Sequence, residues 1–201
     1  MIARCPDFNE VVGFHGHACP GLAFGYRVSQ AALEELVVGR SLDEELVVIV
    51  ENNSCAVDAI QAVTGCTFGK GNFIFRDFGK QVYTFIRRSD GEAVRIAVEW
   101  EPEPEQPDIQ QAFKKYSTGD RSSGVVSLVN DHKQRKMKAI LVAEKAELFR
   151  ITRPDLSLPE QARIFPTLRC VQCGEKVMES RTVNTSTGPS CIPCSEELSQ
   201  A

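Results

Sequence analysis

Two groups of residues in this chain have the types and spacing of metal ligands. The first is Cys170-x2-Cys173, followed after seventeen residues by Cys191-x2-Cys194. A Cys-x2-Cys knuckle supplies two thiolates from one tight turn, and zinc takes four tetrahedral ligands with sulfur at about 2.3 Å. Four thiolates fill that sphere and leave no position for a substrate, so the spacing predicts a structural zinc ion. Gly174 follows the first knuckle, where a turn can aim backbone amides at the sulfurs. Two redox-active cysteine pairs are the competing reading, and the paired knuckles at this spacing favour zinc.

The second group is His15-Gly16-His17-Ala18-Cys19-Pro20-Gly21, two imidazoles and a thiol within seven residues. Pro20 suits the first turn of a helix, which puts Cys19 at a helix N-terminus. Unpaired amides and the macrodipole favour a thiolate there. Cys55 falls at the start of another predicted helix. The expectation is a soft metal site held by His17, Cys19 and Cys55, with His15 as an alternate ligand or a partner behind them. Three protein ligands would leave one position for water or a substrate. The plain alternative is that these cysteines pack as small hydrophobes and the histidines satisfy backbone groups; their clustering favours the metal.

Cys66 lies eleven residues after Cys55, at the far end of the same predicted helix. At 1.5 Å per residue that is about 16 Å, too far for one ion unless the helix breaks or a second chain contributes. Cys5 belongs to no motif and is expected to pack. Gly65-Cys66-Thr67-Phe68-Gly69-Lys70-Gly71 looks like a phosphate loop but has three residues between its first glycines, and Gly71 replaces the Ser or Thr that magnesium needs. It also runs from helix to strand, the reverse of a P-loop. Lys133, Arg135, Lys136 and Lys138 form a basic stretch that reads as a solvated helix face.

These residues need elements to hold them. A short helix over 6–12 leads into the His-Gly-His segment, and a longer one over 20–37 keeps Leu22, Val28, Ala32, Leu33 and Leu36 at helical spacing. Leu46–Val50 is a continuous apolar run of strand length, and Ser54 is placed to cap a helix from Cys55 to Thr64, with Gly65 as its stop. Strands are expected over 73–78, 82–88 and 94–100, the last two joined by a hairpin at Ser89-Asp90-Gly91-Glu92. Prolines from 102 to 107 break regular structure ahead of a helical stretch at 108–116. Residues 122–151 read as one more helix that runs out into a short strand. Pro154, Pro159 and Pro166 punctuate a linker. The fold class is α+β, with a core sheet packed with helices over 1–154 and a small zinc-binding finger over 165–201.

The chain has 201 residues, 42% of them apolar, and a net charge of −4, which gives no electrostatic reason to expect nucleic acid as a partner. The longest apolar run is far short of the roughly 20 residues that span a bilayer. The first residues lack the charged start and apolar stretch of a signal peptide. The expectation is therefore a cytoplasmic protein with no membrane contact, whose eight cysteines serve metal or thiol chemistry rather than disulfides.

Three linked segments resemble the signature of the FmdE family of formylmethanofuran dehydrogenase components. They are His15-Gly-His17-x-Cys19-Pro-Gly21-x3-Gly25, Glu51-Asn-Asn-Ser-Cys55-x2-Asp58-x2-Gln61, and Thr64-Gly-Cys66-Thr-x-Gly69-Lys-Gly71-Asn72. The tail, with its ending Cys194-Ser195-Glu196-Glu197-Leu198, resembles treble-clef and DksA/TraR-type zinc fingers. The family resemblance implies an α+β core, a homodimer and a link to a molybdenum or tungsten enzyme of one-carbon metabolism. No pterin-binding or iron–sulfur motif stands in this sequence. The expected role is accordingly a metal-binding accessory subunit of a molybdopterin-type oxidoreductase complex. The alternatives are a stand-alone metal-dependent enzyme and a zinc-finger regulatory or adaptor protein.

Overall fold

The computed structural model of the chain describes residues 4–102 and 104–199. They fall into two compact units, Met1–Gln161 and Ala162–Ala201.

The first unit is a five-stranded sheet with helices packed on it. Its elements run α1 (Phe8–His15), α2 (Pro20–Leu36), β1 (Leu46–Val50), α3 (Ala56–Thr64), β2 (Phe73–Phe75), β3 (Val82–Arg87), β4 (Ala93–Val98), α4 (Pro107–Ser117), α5 (Ser123–Val142), α6 (Lys145–Leu148) and β5 (Phe149–Thr152). The strand order is β2-β1-β3-β4-β5. Only β1 and β2 are parallel, joined by the α3 crossover; the remaining pairs are antiparallel. Alternation along the strands sorts the apolar residues to two faces. Leu46, Val48, Val50, Tyr83, Phe85, Val94 and Ile96 belong to the main core with the helices. Val47, Ile49, Ile86 and Ala93 form a smaller cluster on the other face. The architecture is the α+β class that the sequence predicts.

Helix α1 starts later than expected and runs further. A capping box sets its start: the Glu10 amide donates to Asp7 and the Asp7 amide donates to Glu10. Gly16, at φ 94°, ends it in the left-handed conformation. His15 is thus the last helical residue, with His17 just beyond the turn. Ser54 does not cap α3. The cap position belongs to Cys55, and the Ser54 hydroxyl donates to the Asn52 side chain instead. Asn52 is buried and also donates to the Lys80 carbonyl and the Tyr83 hydroxyl. These bonds fix the turn that carries the chain from β1 to Cys55.

The expected helix over 122–151 stops at Val142. Ala143 is extended, and a short α6 leads into β5, which pairs with β4. The Arg27 guanidinium of α2 donates to the carbonyls of Ile140, Leu141 and Ala143, satisfying groups that the end of α5 leaves unpaired. With Val129, Met137 and Ile140 buried, this clamps α5 against α2. Among the described residues, no helix is long and apolar enough to cross a membrane.

In the second unit, β6 (Thr167–Arg169) pairs with β7 (Lys176–Met178), and β8 (Thr182–Thr185) pairs with β9 (Gly188–Cys191). Helix α7 (Ile192–Ser199) follows. Two short ribbons and one helix bury little apolar surface.

Gly25 sets the spacing between α2 and α3. A Cβ there would sit 2.1 Å from the Ala56 carbonyl oxygen, a backbone atom that cannot swing away. Gly25→Ala should therefore force the helices apart and cost about 2–3 kcal/mol, within the range for overpacking. Urea unfolding should show a lower midpoint at unchanged slope. Gly69→Ala, which meets nothing within 4 Å, should leave the midpoint in place.

Candidate metal centres

The core centre assembles where three helix ends meet. Cys19 is the N-cap of α2, with Pro20 in the first turn, and its Sγ accepts from the Leu22 amide at 3.4 Å. Cys55 is the N-cap of α3. The close approach at Gly25 continues at Gly21, whose absent Cβ would lie 3.2 Å from the Cys55 Cβ. The two thiols are thereby held at neighbouring helix N-termini. The end of α1 adds the histidines, whose rings stand 4.5 Å apart between centroids. One donor atom from each of His15, His17, Cys19 and Cys55 lies within 4.8 Å of all the others.

His15 shows what this arrangement suits. Its Nδ1 lies 2.7 Å from Asp58 Oδ2, across 43 residues of sequence. The carboxylate accepts from Nδ1, so Nε2 is the ring nitrogen left for a further partner. That Nε2 is buried and has no hydrogen-bond partner. An unpaired buried acceptor costs about 1–3 kcal/mol, and a metal ion is the partner that a neutral imidazole nitrogen beside two thiols fits. The Cys55 thiol is pushed up by burial first and then by the charge of Cys19. A divalent cation among the donors would offset both effects.

A cleft of about 640 Å³ opens in front of these donors. His17, Cys19 and Cys55 form one wall; Asn130, Lys133 and Gln134 of α5 form the other. Lys133 reads in sequence as part of a solvated helix face, and the fold turns it onto the cleft. Nothing local in the sequence announces this, because it depends on the Arg27 clamp. Asp58 is more accessible to inspection: three residues after Cys55, it sits one turn along the same helix.

Cys66 stands apart from this cluster. It is buried in the core, donates to the Leu46 carbonyl at 3.3 Å, and burial pushes its thiol up to about 11. Cys5 packs at the edge of the core. In the phosphate-loop lookalike, the Lys70 ammonium donates to the carbonyls of Leu42 and Asp43. Its charge is turned onto backbone carbonyls.

The second centre lies in the small unit. The Sγ atoms of Cys170, Cys173, Cys191 and Cys194 lie within 4.8 Å of one another. Cys170 follows β6, and Gly174 at φ 74° turns the chain back so that the Cys170 amide donates to the Glu175 carbonyl. The Cys191 amide, arriving on β9, donates to Cys170 Sγ at 3.3 Å. That contact is the main cause bringing the Cys170 thiol down to about 5. The Cys194 thiol is pushed up to about 12, chiefly by its hydrogen bond with Cys191 and then by desolvation. Four thiols at this spacing resist common ionisation until a cation joins them. The donor set suits zinc, and the fit is to a closed, structural centre.

Comparison with known proteins shows the family. The sequence model of the FmdE family, described as "FmdE, Molybdenum formylmethanofuran dehydrogenase operon", matches residues 14–150. A protein of Archaeoglobus fulgidus described as "Probable S-adenosyl-L-methionine-binding protein" is 32% identical over 180 residues, 84% of this chain. The alignment takes in 48% of that relative, so the chain spans about half its length. In fold, the chain is similar to the crystal structure of a tungsten formylmethanofuran dehydrogenase FmdE-like protein from Syntrophus aciditrophicus. The TM-score is 0.60 at 21% identity, over 97% of this chain and 98% of that one. With the family match running from the His-Gly-His segment into β5, the chain belongs to the FmdE family.

Proposed function

We propose that this chain is a metal-binding accessory subunit of a molybdopterin-type one-carbon oxidoreductase related to formylmethanofuran dehydrogenase. One observation carries the metal-binding part: the buried Nε2 of His15, without a partner, beside His17, Cys19 and Cys55. Family membership supports the association with an oxidoreductase. His17, Cys19 and Cys55 hold the core ion, with His15, which Asp58 orients, as an alternate donor, so that one position stays open to water or a ligand. Bound there, a zinc or similar ion supplies Lewis acidity. Cys170, Cys173, Cys191 and Cys194 hold a structural zinc that orders residues 165–201, while residues 1–154 fold as the core domain. The S-adenosyl-L-methionine binding named for the Archaeoglobus protein belongs to a longer chain and is not carried over.

A second reading, a stand-alone metal-dependent enzyme, is favoured by the cleft itself. A cavity of about 640 Å³ is within the range of small-molecule sites, and a purely structural ion needs none. Pull-down of the tagged protein from its native cells separates the two. The accessory role predicts co-purification of a molybdenum- or tungsten-containing oxidoreductase in fixed proportion; recovery of the chain alone at low salt would favour the stand-alone enzyme.

Metal analysis of the purified full chain should give two ions per chain. Cys55→Ser and Cys191→Ser should each lose one. Asp58→Asn should keep the finger ion and weaken core binding by about 10–100-fold, the usual cost of removing a carboxylate behind a ligating histidine. A ratio of one in the wild type, unchanged by Cys55→Ser, would rule out the core ion.

The chain is also proposed to form a homodimer, in keeping with a five-stranded sheet whose outer strands β2 and β5 leave edges open to pairing. Light scattering should give about twice the 22.2 kDa chain mass. A single-chain mass at micromolar concentration would contradict it.

A further inference from the structure

The cleft pairs a metal-ligand wall with a wall that bears a positive charge. Asn130, Lys133 and Gln134 stand at i, i+3 and i+4 on α5, so they share one face of the helix. Lys133 Nζ lies 5.2 Å from the centroid of the Tyr116 ring, on which the Arg121 guanidinium also rests at 3.8 Å. Two cations elsewhere in the first unit are paired with carboxylates: Lys145 with Glu34 and Glu35, and Arg153 with Glu35 and Glu92. Among the described residues Lys133 makes no ion pair; its side chain lines the cleft, and its ammonium stands near the Tyr116 ring that Arg121 also contacts.

Charge balance says what that cation is for. Two thiolates, Cys19 and Cys55, offset a divalent ion, so the ion would present little net charge to the cleft. Asp58, bonded to His15, adds a negative charge behind it. A ligand drawn to the ion by charge alone would find no attraction. Lys133 is the group that supplies it, and the Asn130 and Gln134 amides offer further donors with no charge of their own.

We infer that this cleft is an oxyanion subsite, in which Lys133, flanked by Asn130 and Gln134, binds the anionic group of a small ligand in front of the core ion. The inference rests on the proposed core metal and names the class of ligand that the site takes. Carboxylates and phosphate esters share the required chemistry: a delocalised negative charge with acceptor oxygens for an ammonium and an amide. It assigns α5 a binding role in addition to its packing against α2.

The test uses the full chain loaded with cobalt(II) as the probe ion. The thiolate-to-cobalt absorption that Cys55→Ser removes reports the core centre. The finger, with four thiolates, has no position for an added ligand, so spectral change on adding an anion reports the core. Acetate and methyl phosphate are titrated separately. The expected result is a saturable change with at least one of them in the wild type. Binding should be about tenfold to a hundredfold weaker in Lys133→Met, as for loss of one charge-assisted hydrogen bond. Cobalt affinity should be unchanged, and Lys133→Arg should recover part of the binding. Whichever anion responds assigns the ligand as carboxylate or phosphate. If the core absorbs but neither anion changes it, or if Lys133→Met responds like the wild type, the oxyanion subsite is overturned while the metal centre stands. If Cys55→Ser removes no absorption, the core metal fails and the subsite fails with it.

Discussion

The core of this protein depends on how closely α2 and α3 approach. Gly25 has no side chain because the Ala56 carbonyl occupies the space where one would be. That contact brings two helix N-termini side by side, and each ends in a cysteine. A glycine inside a helix costs roughly 0.5–1 kcal/mol relative to alanine. Here the cost is offset by burial of both helices on one face of the sheet. Everything at the core centre follows from this approach: the meeting of Cys19 with Cys55, the position of Asp58 one turn into α3, and the orientation of His15 against it.

The two centres solve the same electrostatic problem by different means. In the small unit, backbone amides meet the sulfurs directly, so the ligand set is nearly self-contained within residues 170–194. In the core, the donors come from three helix ends, and their alignment relies on the β1–α3 turn that Asn52 holds and on the α2–α3 contact. The finger has four thiolates. The core has mixed nitrogen and sulfur donors and a cleft walled by α5. A closed ligand set accords with holding a small domain together, and an open one accords with binding something more.

Much of this was legible in the sequence where the chemistry is local. The Cys-x2-Cys knuckles, the hairpin at Ser89–Glu92 and the buried strand β1 each follow from a few adjacent residues. The convergence of the His-Gly-His-x-Cys segment with Cys55 was readable because both cysteines sit at predicted helix starts. What escaped depends on distant contacts. Apolar residues continue past Val142, so periodicity alone runs α5 too far; it ends where Ala143 turns extended and Arg27, more than a hundred residues earlier, donates to the carbonyls left free. Lys133 reads as a surface charge for the same reason: its surroundings are set by that clamp. Ser54 is a good capping residue in isolation, but its hydroxyl donates to Asn52, and the cap position falls to Cys55, which makes no side-chain capping bond.

Anomalous diffraction at the zinc edge from crystals of the zinc-loaded full chain tests the central claim most directly. The account predicts two anomalous peaks per chain. One lies among the four finger sulfurs; the other is bonded to Cys19 Sγ, Cys55 Sγ and imidazole nitrogen, with His15 Nε2 turned toward it and Asp58 on the far side of the ring. A single peak in the finger, with His15 Nε2 bonded to water or to a backbone group, would contradict it.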